Sequence, residues 1–176
     1  MRRKITLATL RQFMQELGVA ARSPGKVYFA GGATALLLGF RDQTIDVDLK
    51  LDPEPKGAFG AIARLKEQLN LNVKLASPDD FIPRVEAWRE RSQHIVTCGA
   101  VEFFHFDFAL QMLAKLERGH AQDLEDAASF LRGGYVMPDQ LQKCFAEIEP
   151  RLIRYPALDA EAFRKKVEAF LNLHEP

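Results

Sequence analysis

Two cysteines in 176 residues are too few for a metal cluster or a disulfide framework. Cys98 and Cys144 lie far apart, in no CxxC or Cys/His pattern, so the expectation is two buried free thiols. Net charge is lacking too: 24 Lys and Arg balance 24 Asp and Glu. No global field therefore draws the chain to nucleic acid or to an anionic membrane, although a local basic groove stays open. No apolar run approaches the roughly 20 residues of a membrane span. The basic start Met1-Arg2-Arg3-Lys4 leads into a stretch interrupted by Arg11 and Gln12, which is not a signal-peptide pattern. A soluble, cytoplasmic protein with no membrane partner is expected. Internal repeats and low-complexity segments are absent, as are a Walker loop, a GxGxxG fingerprint and a nucleophile elbow.

What is present is an ordinary globular composition, 47% apolar and 27% charged, with clear periodicities. Leu7, Leu10, Phe13, Met14 and Leu17 recur at helical spacing, with Gly18 as a stop. Val27 to Ala30 is a short buried strand ahead of Gly31-Gly32, and Ala33 to Phe40 a compact helix. Thr44 to Leu51 alternates like a strand and ends at Asp52-Pro53-Glu54-Pro55. Phe59, Ile62, Leu65 and Leu69 mark a further helix, and Leu71, Val73 and Leu75 a further strand. The segment from Ser77 to Pro83 has turn chemistry. His94 to Cys98 and Val101 to Phe106 form a hairpin turning near Gly99, and Asp107 caps the next helix. Helices near 122–132, after Pro138 and after Asp159 complete the chain. The predicted class is α+β, a small mixed sheet flanked by helices, with a domain over 1–135 and a helical extension over 136–176.

The chemistry concentrates between Val27 and Leu51. Ile45, Val47, Leu49 and Leu51 point to one side of the strand, so Thr44, Asp46, Asp48 and Lys50 point to the other. The two carboxylates then share a face, with alpha carbons roughly 6.5–7 Å apart. Like charges so close repel unless a cation lies between them. Mg²⁺ suits such a pair, because it takes one or two carboxylates plus substrate phosphates. The bland alternative is a charged edge strand, but aspartate is a poor strand former and edges favour lysine. Gly31-Gly32 either lets backbone approach a phosphate or simply makes a tight strand-to-helix turn.

Gly31-Gly32-Ala33-Thr34-Ala35, followed by Arg41, Thr44, Asp46 and Asp48 at their spacing, resembles the nucleotidyltransferase superfamily, the fold of the DNA polymerase β catalytic core. The likeness is greatest to bacterial minimal nucleotidyltransferase-like families, some related to abortive-infection toxins. Ser77 to Pro83, and Lys115, Arg118, Gly119, His120, Asp123, Leu124 and Asp126, are similar to the same families. The resemblance implies a nucleotidyltransferase fold that moves a nucleoside monophosphate from a nucleoside triphosphate to a hydroxyl acceptor on a protein, RNA or small molecule. It implies catalytic, Mg²⁺-holding roles for Asp46 and Asp48, and nucleotide contacts from Gly31, Gly32, Thr34, Arg41, Thr44, Lys115 and Arg118. Lys115 and Arg118 share a helix face and either grip phosphates or form an ordinary helix end. Asp123 and Asp126 also share a face and are expected to pair with Lys115 or Arg118.

One departure stands out. Members of that superfamily commonly carry a third carboxylate on a neighbouring strand, where this chain has Asn72 and Lys74. Lys74 is placed to pair with Asp46 or Asp48 and replace a metal electrostatically. Asp79, Asp80 and Asp107 are fallback carboxylates, with turn and capping roles as their alternatives. A second expectation follows: a non-catalytic module on the same fold, such as one half of a toxin–antitoxin or phage-defence pair. His94 and His105, on predicted strands, are expected to be packed or hydrogen-bonded rather than catalytic. Phe103, Phe104, Phe106 and Phe108 resemble a core seam.

Overall fold

The structure, a computed structural model, describes residues 4–174; the basic start noted above lies outside them, apart from Lys4. The chain divides into two compact units. One runs to Ser77 and takes back Ser92–Phe106; the other joins Pro78–Arg91 to everything from Asp107 onward. The expected boundary at 135/136 falls inside the second.

The first unit is a mixed α+β layer. Its elements are β1 (Ile5–Thr6), α1 (Leu7–Ala20), β2 (Gly25–Ala30), α2 (Gly31–Leu37), β3 (Gln43–Thr44), β4 (Asp46–Leu51), α3 (Ala58–Gln68), β5 (Asn72–Leu75), β6 (Gln93–Cys98) and β7 (Val101–His105). Five strands form one sheet in the order β5-β4-β2-β7-β6. The central β2 runs antiparallel to β4 and parallel to β7, with Ala30 opposite Asp48 and Tyr28 opposite both Lys50 and Phe104. β4 and β5 are parallel, and β6 and β7 form the expected hairpin, with a register shift between His94 and Val96. Alternation sends Val27, Phe29, Val47, Leu49, Val73, Val101 and Phe103 into one core with Leu10, Phe13 and Leu17 of α1 and Ala58, Ala61 and Leu65 of α3. The partner face carries Tyr28, Asp46, Asp48, Lys50, Asn72, Lys74 and Phe104. The expected seam is therefore split: Phe103 joins the core against Phe29, while Phe104 stacks on Tyr28 with ring centroids 5.1 Å apart and Phe106 meets the same ring edge-on at 6.4 Å.

Several sequence expectations shift. Gly18 does not end α1; it lies inside it, where a Cβ would sit 2.1 Å from the Cys98 carbonyl oxygen. The glycine is there so that the helix can lie against the hairpin end. α2 begins at Gly31 itself, not Ala33, and stops at Leu37. The predicted strand Thr44–Leu51 is two strands: β3 pairs with β1 in a separate ribbon, Ile5 opposite Thr44. The break turns Ile45 out of the core, 50% exposed, and turns Thr44 in. Phe59 and Leu75, expected to be apolar anchors, are more than half exposed; Ala58 and Ala61 fill the helix face that Phe59 was assigned.

The second unit is helical. A 3-10 turn (Pro78–Asp80) and α4 (Trp88–Arg91) precede α5 (Phe108–Arg118), α6 (Ala121–Arg132), α7 (Pro138–Ile148), a 3-10 turn (Glu149–Arg154) and α8 (Ala160–Leu173). Asp107 Oδ1 accepts the Leu110 N–H at 3.0 Å, the predicted cap. Asp159 does the same for Ala162 at 2.9 Å. Pro138 occupies the first turn of α7, where its missing N–H costs nothing. Phe108 packs on Phe130 and Tyr135, and Phe145 on Phe163, in ring contacts of 5.0–5.5 Å.

Candidate functional site

The turn from β2 into α2 and the start of β4 meet on the sheet face opposite the α1 and α3 layer. Gly31 has φ +58°, a conformation that costs an L side chain strain and glycine little. A Cβ there would lie 2.7 Å from Asp48 Oδ2, and one on Gly32 would lie 2.0 Å from Thr44 Oγ1. Both glycines are thus required by close approach. The pair brings bare backbone against one of the two aspartates and against Thr44. This is the juxtaposition of glycine turn and carboxylate strand that the spacing anticipated.

Asp46 and Asp48 are half-buried and share a face, because the alternation holds from Asp46 to Leu51. Their surroundings differ. Asp48 lies beside Gly31. Asp46 is gripped from β5: Asn72 Nδ2 donates to Oδ1, and Lys74 Nζ lies 2.7 Å from Oδ2. The ammonium stands diagonally across the ladder, since the register partner of Lys74 is Asp48. The expected ion pair is present and selects Asp46.

The other nucleotide-contact candidates fall in distinct settings. Arg41 is half-buried in the segment between α2 and β3. Thr44 is buried and donates its hydroxyl to the Asp46 carbonyl at 3.2 Å, which fixes the bend between β3 and β4. Thr34 is fully buried and donates to the Phe29 carbonyl at 3.2 Å. Its hydroxyl oxygen lies 3.1 Å from His105 Nδ1. The Thr34 hydroxyl thus ties the Phe29 carbonyl to the His105 ring. Burial lowers the His105 pKa to about 4, so the ring is neutral at pH 7. This Thr34–His105 link joins two stretches of sequence 71 residues apart, and periodicity gives no signal for it.

Lys115 and Arg118 belong to the second unit. Lys115 Nζ is 2.7 Å from Asp126 Oδ2 and 3.6 Å from Asp123 Oδ1, with its side chain only 4% exposed. Arg118 is half-exposed and 2.6 Å from Asp123 Oδ1. The pairing expected of Asp123 and Asp126 is what forms, and any phosphate contact by Lys115 requires it to leave that pair. The fallback carboxylates also lie in this unit. Asp79 is 3.1 Å from Arg84, and Asp80 sits on the 3-10 turn. Asp107, besides capping α5, is 2.5 Å from Arg91, and burial pushes its pKa up against that partner and the cap. Burial likewise pushes the Cys144 thiol up to about 12. Cys144 is a buried free thiol as expected; Cys98 is free but half-buried.

Among the described residues no three His, Cys, Asp or Glu side chains converge on one point. Asp46 and Asp48 are two carboxylates on one face, the number Mg²⁺ commonly takes when phosphates and water complete its shell. The donors fit a hard cation. The Lys74 ammonium seated on Asp46 shows that positive charge is accommodated there. Among the described residues no helix is long and apolar enough to cross a membrane. No family model, curated protein or solved structure matches the chain.

Proposed function

We propose that the chain is a nucleotidyltransferase, built on the fold its sequence resembles, which uses the face carrying Gly31, Gly32, Asp46 and Asp48. The observation that carries this reading is the packing of the glycine pair directly against Asp48 and Thr44. It places close-approach backbone and a same-face carboxylate pair in one small area, the combination that phosphoryl transfer requires. The substrate is a nucleoside triphosphate. An acceptor hydroxyl oxygen bonds to the α-phosphorus, and the bond to the oxygen bridging the α- and β-phosphates breaks. Pyrophosphate leaves with the electron pair, and the hydroxyl proton passes to solvent. Asp46 and Asp48 would hold Mg²⁺, which when bound neutralises phosphate charge. Within the chain, Gly31 keeps a side chain off the Asp48 carboxylate, Gly32 keeps one off the Thr44 hydroxyl, and Thr44 fixes the bend that aims Asp46. The neutral His105 orients Thr34 under the turn. The acceptor is a hydroxyl on a protein, an RNA or a small molecule.

Incubation with α-labelled nucleoside triphosphates and Mg²⁺ tests the reading. Label should appear on an acceptor, and the double variant Asp46→Ala, Asp48→Ala should abolish it. Transfer that survives the double variant overturns the site assignment. One observation favours a second reading. Asp46 already has a lysine and an asparagine on its oxygens, as it would in a non-catalytic module that partners a toxin or antitoxin. A ligand that binds only the native state must raise its melting temperature. Absence of any shift with each nucleoside triphosphate at millimolar concentration favours the module.

A further inference from the structure

We propose that Lys74 is a resident counter-ion that keeps divalent metal off Asp46 until a triphosphate brings the metal in, so that metal and nucleotide bind as a unit. The proposal rests on the reading of this face as a nucleotide site. Its evidence is local to β4 and β5. Lys74 Nζ is 2.7 Å from Asp46 Oδ2, the distance of a charge-assisted hydrogen bond. Asn72 Nδ2 donates to the other oxygen, Oδ1. Each carboxylate oxygen has room for a second partner, so a metal that takes either one displaces its donor or sits close beside it. Because the lysine comes from the adjacent parallel strand, four residues of backbone ladder hold it in reach, from Asp46 opposite Asn72 to Leu49 opposite Leu75.

The latch is built to open. The Lys74 side chain is 45% exposed and that of Asp46 29% exposed, so breaking the pair costs a few-fold in affinity, as for other solvated ion pairs. A dication entering beside the ammonium also meets its charge at close range. At roughly 4 Å in screened water, that repulsion is worth about another factor of ten against the metal alone. A triphosphate reverses the balance. Its negative charge attracts both cations, so the displaced ammonium gains a new partner while the metal takes the carboxylates. Lys74 thus sets an order: metal alone binds weakly, and metal with triphosphate binds well.

The experiment is a titration of the intact chain with Mn²⁺ alone, followed by electron paramagnetic resonance of the free ion. It uses wild type, Lys74→Ala, Lys74→Gln and the double variant Lys74→Ala, Asp46→Asn. Wild type should bind weakly. Both single variants should bind roughly tenfold or more tighter, and the double variant should lose the gain. Lys74→Gln keeps a polar side chain, so agreement between the two substitutions excludes a packing effect. Unchanged affinity in both single variants, or a gain that persists without Asp46, overturns the latch. Triphosphate binding with Mn²⁺ is measured in parallel and judged separately. Triphosphate binding without a Lys74 effect on Mn²⁺ defeats the latch and leaves the nucleotide reading standing. An Asp46-dependent gain in Mn²⁺ affinity without triphosphate binding keeps the resident counter-ion and defeats the nucleotide reading.

Discussion

Removing the Lys115 ammonium should damage the helical unit more than any surface change could. Lys115 and Asp126 are 2.7 Å apart, with side chains 4% and 2% exposed. At an effective dielectric near 20, two unit charges at that separation of 2.7 Å attract by about 6 kcal/mol before desolvation is counted. Desolvation has consumed much of this, so the pair itself contributes little net. Its rupture is another matter. Lys115→Met removes the ammonium that neutralises the buried Asp126 carboxylate, which also accepts from the Gln122 amide at 3.3 Å. Stranding a buried charge in this way costs about 3–5 kcal/mol. For a chain of this size that lowers the melting temperature by roughly 6–20 °C. Urea unfolding followed by far-ultraviolet circular dichroism measures it, because α5 and α6 dominate the affected signal. The double variant Lys115→Met, Asp126→Asn should recover most of the loss, since the cost lies in the stranded charge. A loss below about 1 kcal/mol in the single variant, or no recovery in the double, would refute the reasoning and return Lys115 to the role of a cation available to ligands.

Three other outcomes are expected. His105 is buried with its pKa lowered to about 4, against about 6.5 unfolded, so between those values the unfolded chain binds the extra proton. Stability therefore falls as pH drops from about 6.5 to 4, by about 3 kcal/mol in total. In His105→Asn, denaturant midpoints across that window should lose this component of the slope. Gly18→Ala drives a Cβ to 2.1 Å from the Cys98 carbonyl oxygen; a loss of about 1–3 kcal/mol by thermal melting is expected, and wild-type stability would show that α1 does not lie against the hairpin end. Thiol alkylation at pH 8, read by mass spectrometry, should modify Cys98 first. Cys144, buried and pushed up to about 12, should react only on unfolding.

Much of the fold was legible because its signals are local. The apolar spacing of α1 and α5, the cap at Asp107 and the helix starts after Pro138 and Asp159 each depend on signals within a few residues. So does the alternation that puts Asp46 and Asp48 on one face. What escaped depends on distant partners. β1 and β3 are two residues each, too short for any period, and only their pairing turns Ile45 outward. Gly18 looks like a helix stop until the Cys98 carbonyl lies against it. Phe59 looks like an anchor until Ala58 and Ala61 fill the same face. Pro78–Arg91 joins the helices from Asp107 onward, a grouping that a linear reading cannot make. Within the site, Lys74 was legible as a partner for either aspartate. The choice of Asp46 depends on the diagonal reach across the β4–β5 ladder.

That ladder has a consequence for how the protein behaves in crowded solution. β5 and β6 are the two margins of the sheet, where unpaired backbone offers a template for another chain. β6 is interrupted by its register shift, which twists a margin and spoils it as a template. β5 is only four residues long and carries one lysine, Lys74, ahead of the exposed Leu75. The side chain that neutralises Asp46 is therefore also the guard of this margin. A substitution that frees the carboxylate removes the charge that repels strand addition, so selection for a more open site works against selection for solubility at the same residue.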